Sequence, residues 1–327
     1  MNSSAAAFMH RLGLQVPIIC GAMYPCSNPE LIAAVSQAGG IGIVQPLSLV
    51  YVYGYEFRAG LQKIRSLTSK PIGMNVIVEK GSKVYEQRMR EWVQIALEEG
   101  IRFFITALGN PAWVVEMVRA EGGFVFHNTT EKKWAEKALA SGVEGFVCVN
   151  DRAGGHAGAC SAKKLYEDLS PFGLPLVCAG GVGGPKEFVQ ALDLGYAAVQ
   201  MGTRFIASVE CKAHSSYKQA IINADESQIV LTKRVTGVPL SVIRTPYVDK
   251  VGTEAGALVQ LLLRLPRTRH AMRMLINLQS VWKLKRSALQ GLSSKDYWQA
   301  GKSVSEIDKV ESVPEIIKAF QAAIGHP

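Results

Sequence analysis

The chain has 327 residues, of which 48% are hydrophobic and 19% are charged, and its formal net charge is +9. This composition excludes a disordered chain, and the length suits one large barrel or two medium domains. No apolar run reaches the roughly 18 residues of a membrane span, residues 1–11 lack the pattern of a secretory signal, and the six cysteines form no Cys-x-x-Cys pair. We therefore expect a cytoplasmic protein with reduced thiols and no membrane-spanning segment.

Eight short apolar runs alternate with segments of helical periodicity. The runs predict strands at residues 16–23, 41–45, 72–78, 102–108, 124–127, 145–150, 174–179 and 197–201. Helices are predicted at 30–38, 55–67, 83–99, 110–121, 131–142 and 162–169, then from about 185, and at 209–224 as the eighth. This alternation implies a parallel α/β sheet, and eight units close a TIM (β/α)₈ barrel. The rival is a doubly wound open sheet, which would be expected to carry a G-x-G-x-x-G turn after the first strand.

The strand rhythm stops after residue 205. Beyond the eighth helix, the sequence predicts a β-prone stretch at 227–248, a helical region at 254–290 with a break at Pro266, and a closing helix at 313–323. We therefore divide the chain into a barrel, 1–225, and a mainly helical C-terminal extension, 226–327. The extension is too irregular for an independent domain and is expected to pack near the barrel mouth.

Much of the positive charge lies late in the chain. The residues are Arg264, Arg267, Arg269, Arg273, Lys283, Lys285 and Arg286. The simplest interpretation is the solvated face of helices, and the alternative is a docking surface for an acidic partner or an anionic substrate. No nucleic-acid recognition motif accompanies the charge, so no nucleic-acid partner is expected.

Candidate functional residues follow the predicted strand ends, where barrel enzymes place their sites. They are Gly21, Ala22, Met23, Gln45, Asn75, His127, Asn128, Gly154, Gly155, His156, Gly180, Gly181, Gln200, Met201, Gly202 and Thr203. The set contains no carboxylate cluster and no metal-ligand spacing, so no metal is expected. Glycine turns after the last two strands suit a phosphate, and amides suit a neutral heterocycle. Flavin mononucleotide (FMN) meets this description and would carry the redox chemistry.

His156 is the titratable side chain of the glycine-rich loop after the sixth strand. An imidazole there can act as an acid or a base, and the alternative is a histidine that only orders its loop. Asn75 is either a ligand of the heterocycle or a strand-end turn residue. His127 either contacts the substrate or is a structural residue within its strand.

These motifs resemble those of the nitronate monooxygenase family, formerly called 2-nitropropane dioxygenases, which also contains FMN-dependent enoyl-ACP reductases and NADH:quinone reductases. The matching stretches are PIICGAM, AAVSQAGGIG, SLTSKPIGMNV, AGGHAG, LVCAGGV, AAVQMGTRFIASVEC and, near the end, YWQAG. The resemblance implies a barrel that binds FMN non-covalently, with Ala22 and Met23 against the ring, Asn75 bonded to it and His156 as the catalytic residue. It also implies that the phosphate is held by Gly181, Gln200, Met201, Gly202 and Thr203.

The chain departs from the family pattern at three of these positions. Ala22 stands where the family often has a second glycine, and Asn128 where some relatives have lysine. Arg152 stands where many members have glutamate, four residues before the histidine. A positive charge there is expected to depress the pKa of His156 and to favour an anion, so Arg152 is a candidate substrate residue.

The leading hypothesis is an FMN-dependent nitronate monooxygenase that oxidises alkyl nitronates with O₂ via reduced flavin. The alternative is a flavin reductase that takes electrons from NADH or NADPH (NAD(P)H) and acts on an enoyl thioester, including one carried by acyl carrier protein, or on a quinone. The basic tail would then dock the acyl carrier protein. A third hypothesis is a barrel that binds a phosphate ligand without redox turnover. We also expect that the protein can form a homodimer.

Overall fold

The structure is a computed structural model that describes residues 2–79, 83–234, 239–254, 284–290 and 297–325. Eight parallel strands close a barrel in chain order, because the first strand pairs with both the second and the eighth. The strands are β1 (Ile18–Cys20), β2 (Ile41–Val44), β3 (Ile72–Val78), β4 (Phe103–Leu108), β5 (Phe124–Thr129), β6 (Gly145–Val149), β7 (Leu176–Ala179) and β8 (Ala198–Met201). The predicted TIM barrel is confirmed.

Helices alternate with the strands, and most of them form the outer layer. They are α1 (Ser3–Leu12), α2 (Pro29–Gln37), α3 (Phe57–Leu67), α4 (Lys83–Glu98), α5 (Ala112–Ala120), α6 (Lys132–Leu139), α7 (Ala162–Leu169), α8 (Pro185–Asp193), α9 (Thr203–Ile206), α10 (Ser215–Asn223), α11 (Pro246–Val251) and the C-terminal helix (Val313–Gly325). A π-helical turn, Ser48–Val52, follows β2. No helix within the described residues combines the length and apolarity that a membrane crossing needs.

Helix α1 closes the N-terminal end of the barrel, and the sequence analysis did not predict it. The Asn2 side chain caps the helix by accepting from the backbone N–H of Ala5. The ring of Phe8 enters the barrel and lies 6.1 Å from the ring of Phe103 and 5.9 Å from that of Phe126, between ring centroids. This end of the barrel is therefore a packed apolar core.

The eighth position of the helical layer is filled by the C-terminal helix, not by α10. The C-terminal helix packs against α2 and α8, the helices that flank the closing strands β1 and β8. The rings of Phe188 and Phe320 make an edge contact at 5.3 Å between centroids. The prediction of 209–224 as the eighth helix of the layer is thus wrong in its role, and it is also wrong in its start. The helix begins at Ser215, because Ser208 forms a parallel bridge with Glu311 and the N–H of Val209 donates to the carbonyl of Glu311. The boundary at residue 225 stays a prediction. The C-terminal helix lies beyond this boundary in the sequence but packs in the outer layer of the barrel.

The described part of the extension begins with a 3-10 turn, Glu226–Gln228, and an antiparallel hairpin, β9 (Ile229–Thr232) and β10 (Leu240–Ile243). The hairpin forms a small core with Val248, Leu284 and Tyr297, and Tyr24 from the loop after β1 packs against it. This part of the extension therefore lies over the carboxyl ends of the strands, whereas the C-terminal helix belongs to the outer layer. Most of the predicted helical region 254–290 lies outside the described residues, as do Arg264, Arg267, Arg269, Arg273 and Lys283; residues 284–290 are helical.

Candidate active site

Alternation along each strand sorts its side chains into two faces. In β3, Met74 and Val76 pack against the helices, so Asn75 faces the barrel interior. In β5, Phe124 and Phe126 face the interior, and the next residue on that face is Asn128. Both amides therefore lie inside the barrel towards its carboxyl end.

Asn128 carries an unsatisfied buried acceptor. Its Oδ1 atom is shielded from water and accepts no hydrogen bond from the described residues. A buried carbonyl oxygen without a donor costs about 1–3 kcal/mol, so such atoms call for an explanation. A bound ligand with an N–H or O–H group would satisfy it. The sequence analysis placed Asn128 among the strand-end residues and noted it as a departure from the family pattern, but assigned it no role.

His127 lies on the face of β5 opposite Phe126 and Asn128, towards the helical layer, which favours the structural alternative. The side chain is 4% exposed, and its Nδ1 atom lies 2.8 Å from Oγ1 of Thr106. The Thr106 hydroxyl in turn donates to the carbonyl of Phe126. Burial lowers the pKa of His127 to about 4, so the ring is neutral near pH 7. Its described contacts are structural.

The loop after β6 carries His156 and is held from both sides. Within the loop, the N–H of Gly158 donates to the carbonyl of Asn150 at 3.1 Å. From the extension, the N–H of Ser241 donates to the carbonyl of Gly155 at 2.7 Å. His156 is exposed at the mouth, yet the protein around its ring lowers its pKa by desolvation. The expected direction is found, but its cause is desolvation rather than the charge of Arg152.

Arg152 points to the glycine turn after β7. Its guanidinium forms an ion pair with Glu226 of the extension, with Nη2 2.6 Å from Oε2. A Cβ atom placed on Gly181 would lie 2.7 Å from Nε of Arg152 and 3.0 Å from its Cβ. The Arg152 side chain thus covers the predicted phosphate turn, and its described ion pair leads to the extension.

Asn150, at the end of β6, ties the loops after β6 and β7 together. It is fully buried, its Nδ2 donates to the carbonyl of Gly180 at 3.0 Å, and its Oδ1 accepts from the N–H of Arg152 at 2.9 Å. Gly180 and Gly181 both have positive φ, +122° and +78°. At Gly180 an added Cβ would lie 2.2 Å from Oδ1 of Asn150, so a side chain is excluded there. The sequence analysis missed this positioning residue, although an asparagine directly after an apolar strand was a signal.

The end of β8 meets the loop after β1. The side chain of Gln200 lies on Gly21, where an added Cβ would come within 2.9 Å of it. Gly202 lies beside Met23, with the sulfur 3.3 Å from an added Cβ. Met201 is buried in the helical layer, so any ligand contact it makes at this end is through its backbone.

The YWQAG motif of the extension completes the mouth. The N–H of Gly301 donates to Oγ1 of Thr203 at 3.0 Å. An added Cβ on Gly154 would lie 2.9 Å from that same nitrogen, so the two glycines allow close backbone contact. The structure thus brings the loops after β1, β6, β7 and β8 to one face, together with Asn75 and Asn128.

Neutral amides, glycine turns and one imidazole line this face. Within the described ranges, no group of three or more His, Cys, Asp or Glu side chains is arranged to hold a metal. The arrangement offers hydrogen bonds to a neutral heterocycle, backbone approach for a phosphate at Gly181, and a base at His156. The barrel and its mouth define an enzyme with its site at the strand ends.

The model of the nitronate monooxygenase family matches residues 6–322. The chain therefore belongs to the nitronate monooxygenase family, as its motifs suggested, and is an oxidoreductase of that family.

Among curated relatives, the nitronate monooxygenase of Pseudomonas aeruginosa is 28% identical over 273 residues, which cover 70% of this chain and 77% of that protein. The (3aS,4S,5R,7aS)-5-hydroxy-7a-methyl-1-oxo-octahydro-1H-indene-4-carboxyl-CoA dehydrogenase of Mycobacterium tuberculosis is 26% identical over 244 residues, which cover 73% of this chain and 66% of that protein. The match thus spans slightly less than two thirds of the mycobacterial enzyme. Among solved structures, FabK from Thermotoga maritima superimposes with a TM-score of 0.77 at 27% identity, covering 98% of this chain and 96% of that one.

Proposed function

We propose that this chain is an FMN-dependent oxidoreductase that oxidises alkyl nitronates with O₂. The observation that carries the proposal is the lining of the mouth, in which the unsatisfied acceptor of Asn128 faces the same interior as Asn75. Bound flavin would supply the chemistry of taking two electrons from an anionic carbon and passing them to O₂. The match to the nitronate monooxygenase of Pseudomonas aeruginosa supports the substrate class.

The residues present fit such a cofactor. Asn128 would accept from an N–H of the heterocycle, and Asn75 would form a further hydrogen bond to it. Gly181, after β7, would hold the phosphate, because turns with positive φ expose backbone N–H groups to an anion. Thr203, after β8, would add a further hydrogen bond. Met23, beside Gly202, would pack against one edge of the ring.

His156 would handle the proton of the reaction. Desolvation lowers its pKa, which favours the neutral ring that a general base requires. If the neutral nitroalkane enters, the imidazole removes the proton from the carbon next to the nitro group. If the anion enters, the imidazole orients it through a hydrogen bond. The hydrogen bond from Ser241 to Gly155 keeps the loop in place for either role.

The test is anaerobic mixing of the flavin-loaded protein with an alkyl nitronate, NADH and NADPH in separate experiments. Loss of the oxidised-flavin absorbance with the nitronate is the expected result. An unchanged spectrum with the nitronate, together with bleaching by NADH or NADPH, would contradict the proposal and assign the chain to the reductases.

The second candidate is an NAD(P)H-dependent reductase of enoyl thioesters or quinones. It is favoured by the similarity to a carboxyl-CoA dehydrogenase and to FabK. Charge reversal at Arg264, Arg267 and Arg269 would then raise KM for a substrate on acyl carrier protein more than for the free thioester. Equal effects on both substrates would count against docking of the carrier protein. The homodimer and the cytoplasmic location stay predictions.

A further inference from the structure

We propose that Arg152 binds the phosphate of the flavin and makes the site select the phosphorylated flavin over riboflavin. The inference rests on the proposed function, since it concerns the same cofactor. It reassigns Arg152 from the substrate to the cofactor, where its charge would add to the hydrogen bonds that the backbone turns offer to the phosphate.

The position of the side chain is the first argument. The Cβ, Cδ and Nε atoms of Arg152 lie 3.0, 2.9 and 2.7 Å from the position that a Cβ atom of Gly181 would occupy. The Arg152 chain therefore runs across the glycine turn after β7. A phosphate that approaches the N–H groups of this turn would meet the guanidinium.

The backbone of Arg152 is fixed on both sides, so the cation is anchored at this place. Its N–H donates to Oδ1 of Asn150 at 2.9 Å, and its carbonyl accepts from the N–H of Lys302 at 2.9 Å. Asn150 also holds the carbonyl of Gly180. The arginine and the glycine turn are thus held by one buried asparagine.

Two other charged positions near the turn are less suited to this role. Arg204, one residue after Thr203, is 4% exposed and forms an ion pair with Glu311, so its charge is already neutralised inside the protein. At the start of α8, an added Cβ on Gly184 would lie 3.2 Å from a carboxylate oxygen of Glu187 and 3.8 Å from one of Glu306. Two carboxylates at that helix end disfavour an anion there. A phosphate would therefore bind on the side of the turn that faces Arg152.

The ion pair with Glu226 does not prevent this exchange. The side chains of Arg152 and Glu226 are 41% and 51% exposed, and exposed pairs of this kind contribute little to stability. A phosphate dianion offers two oxygens to the planar guanidinium and carries more charge than a carboxylate. In the protein without cofactor, Glu226 would thus hold the Arg152 side chain over the turn, and the phosphate would replace it as the partner of the guanidinium when flavin binds.

The experiment measures the Kd of FMN and of riboflavin for the full-length apoprotein by fluorescence quenching. Arg152→Gln keeps much of the length of the side chain and removes its charge. We expect a Kd for FMN about 10- to 100-fold higher, as for loss of a charged hydrogen bond, and an unchanged Kd for riboflavin. Arg58→Gln is the control, because Arg58 is also 40% exposed and paired with glutamates, Glu98 and Glu99, but lies on α3; it should change neither Kd.

Salt and a second variant keep the inference testable if Arg152→Gln is poorly folded. Wild-type affinity for FMN should weaken with added salt more steeply than affinity for riboflavin, and Arg152→Lys should retain most of the preference. Equal wild-type affinities for the two flavins, or equal losses in Arg152→Gln, would overturn the inference while leaving flavin binding intact. A wild-type protein that binds neither flavin would instead contradict the proposed function.

Discussion

The two ends of the barrel are built from opposite kinds of residue. The N-terminal end is filled by the rings of Phe8, Phe103, Phe124 and Phe126, whose neighbouring centroids lie 5.1–6.1 Å apart. The carboxyl end presents amides and glycine turns. Strand β5 shows the change within a single element, because its interior positions are phenylalanine, phenylalanine and then Asn128. The apolar end stabilises the fold, and the amide end is left with hydrogen bonds to be made by a ligand.

The largest expected effect concerns the amide end and its imidazole. His156→Gln should lower the rate of flavin reduction by the substrate about 10²- to 10⁴-fold, the usual contribution of a general base. The flavin spectrum and the melting temperature should be retained, because the loop is held through backbone atoms of Gly155 and Gly158. Stopped-flow absorbance under anaerobic conditions measures the rate. A decrease of less than about tenfold would mean that His156 only orders its loop.

The opposite end should respond in stability rather than in binding. Phe103→Ala should lower the free energy of unfolding by about 3–5 kcal/mol, because it leaves a cavity among the aromatic rings. The flavin affinity of the folded fraction should be unchanged. Urea unfolding and flavin titration measure the two quantities, and Leu67→Ala, at a site 42% exposed on α3, is the control. A loss of flavin affinity in Phe103→Ala would show that the two ends are coupled.

His127 tests the comparison of the two ends, because it lies near the amide end but contacts Thr106 within the fold, so its replacement should change stability. Its pKa is about 4 in the folded protein and near 6.5 when unfolded, so the unfolded chain binds the proton first as the pH falls. The contribution of the neutral His127 ring to the free energy of unfolding is fully present above about pH 6.5. It is lost as the pH falls towards 4, and at pH 4 the free energy of unfolding is lower by about 3 kcal/mol. Unfolding of the wild type and His127→Gln across this range measures the difference. Parallel curves for the two proteins would contradict the assignment.

The smallest expected effect on stability is at Asn128. Asn128→Leu removes the unsatisfied acceptor, so the free energy of unfolding should stay constant or rise by about 1 kcal/mol. The same change should weaken flavin binding about tenfold, which is one lost hydrogen bond. Chemical denaturation and flavin titration of the same preparation measure both effects. A destabilised variant with unchanged flavin affinity would place the role of Asn128 in the fold.

Periodicity was sufficient to predict the barrel. Strand β3 and helix α7 have the bounds that the sequence predicts, because apolar runs and caps mark their ends. The position of the eighth helix was not predictable, since α10 and the C-terminal helix both carry a helical pattern. Which of the two packs between α2 and α8 is decided by tertiary contacts.

The site was predictable as a set of loops but not in the direction of its side chains. A one-residue shift of phase decides whether His127 or Asn128 faces the interior, and the pattern HNT does not fix that phase. Arg152 was expected beside His156 because the two are close in sequence. Its actual partners, Gly181 and Glu226, are brought to it by the fold.

The late return of the C-terminal helix has a consequence for synthesis. The flanks of α2 and α8 that it covers are made long before Val313–Gly325 leaves the ribosome. Such distant contacts raise the contact order and make closure of the outer layer a late event in folding. A chain that terminates before this helix would expose the apolar surfaces of α2 and α8 that the helix covers. Burial of these surfaces would therefore wait for the last residues of the chain to be synthesised.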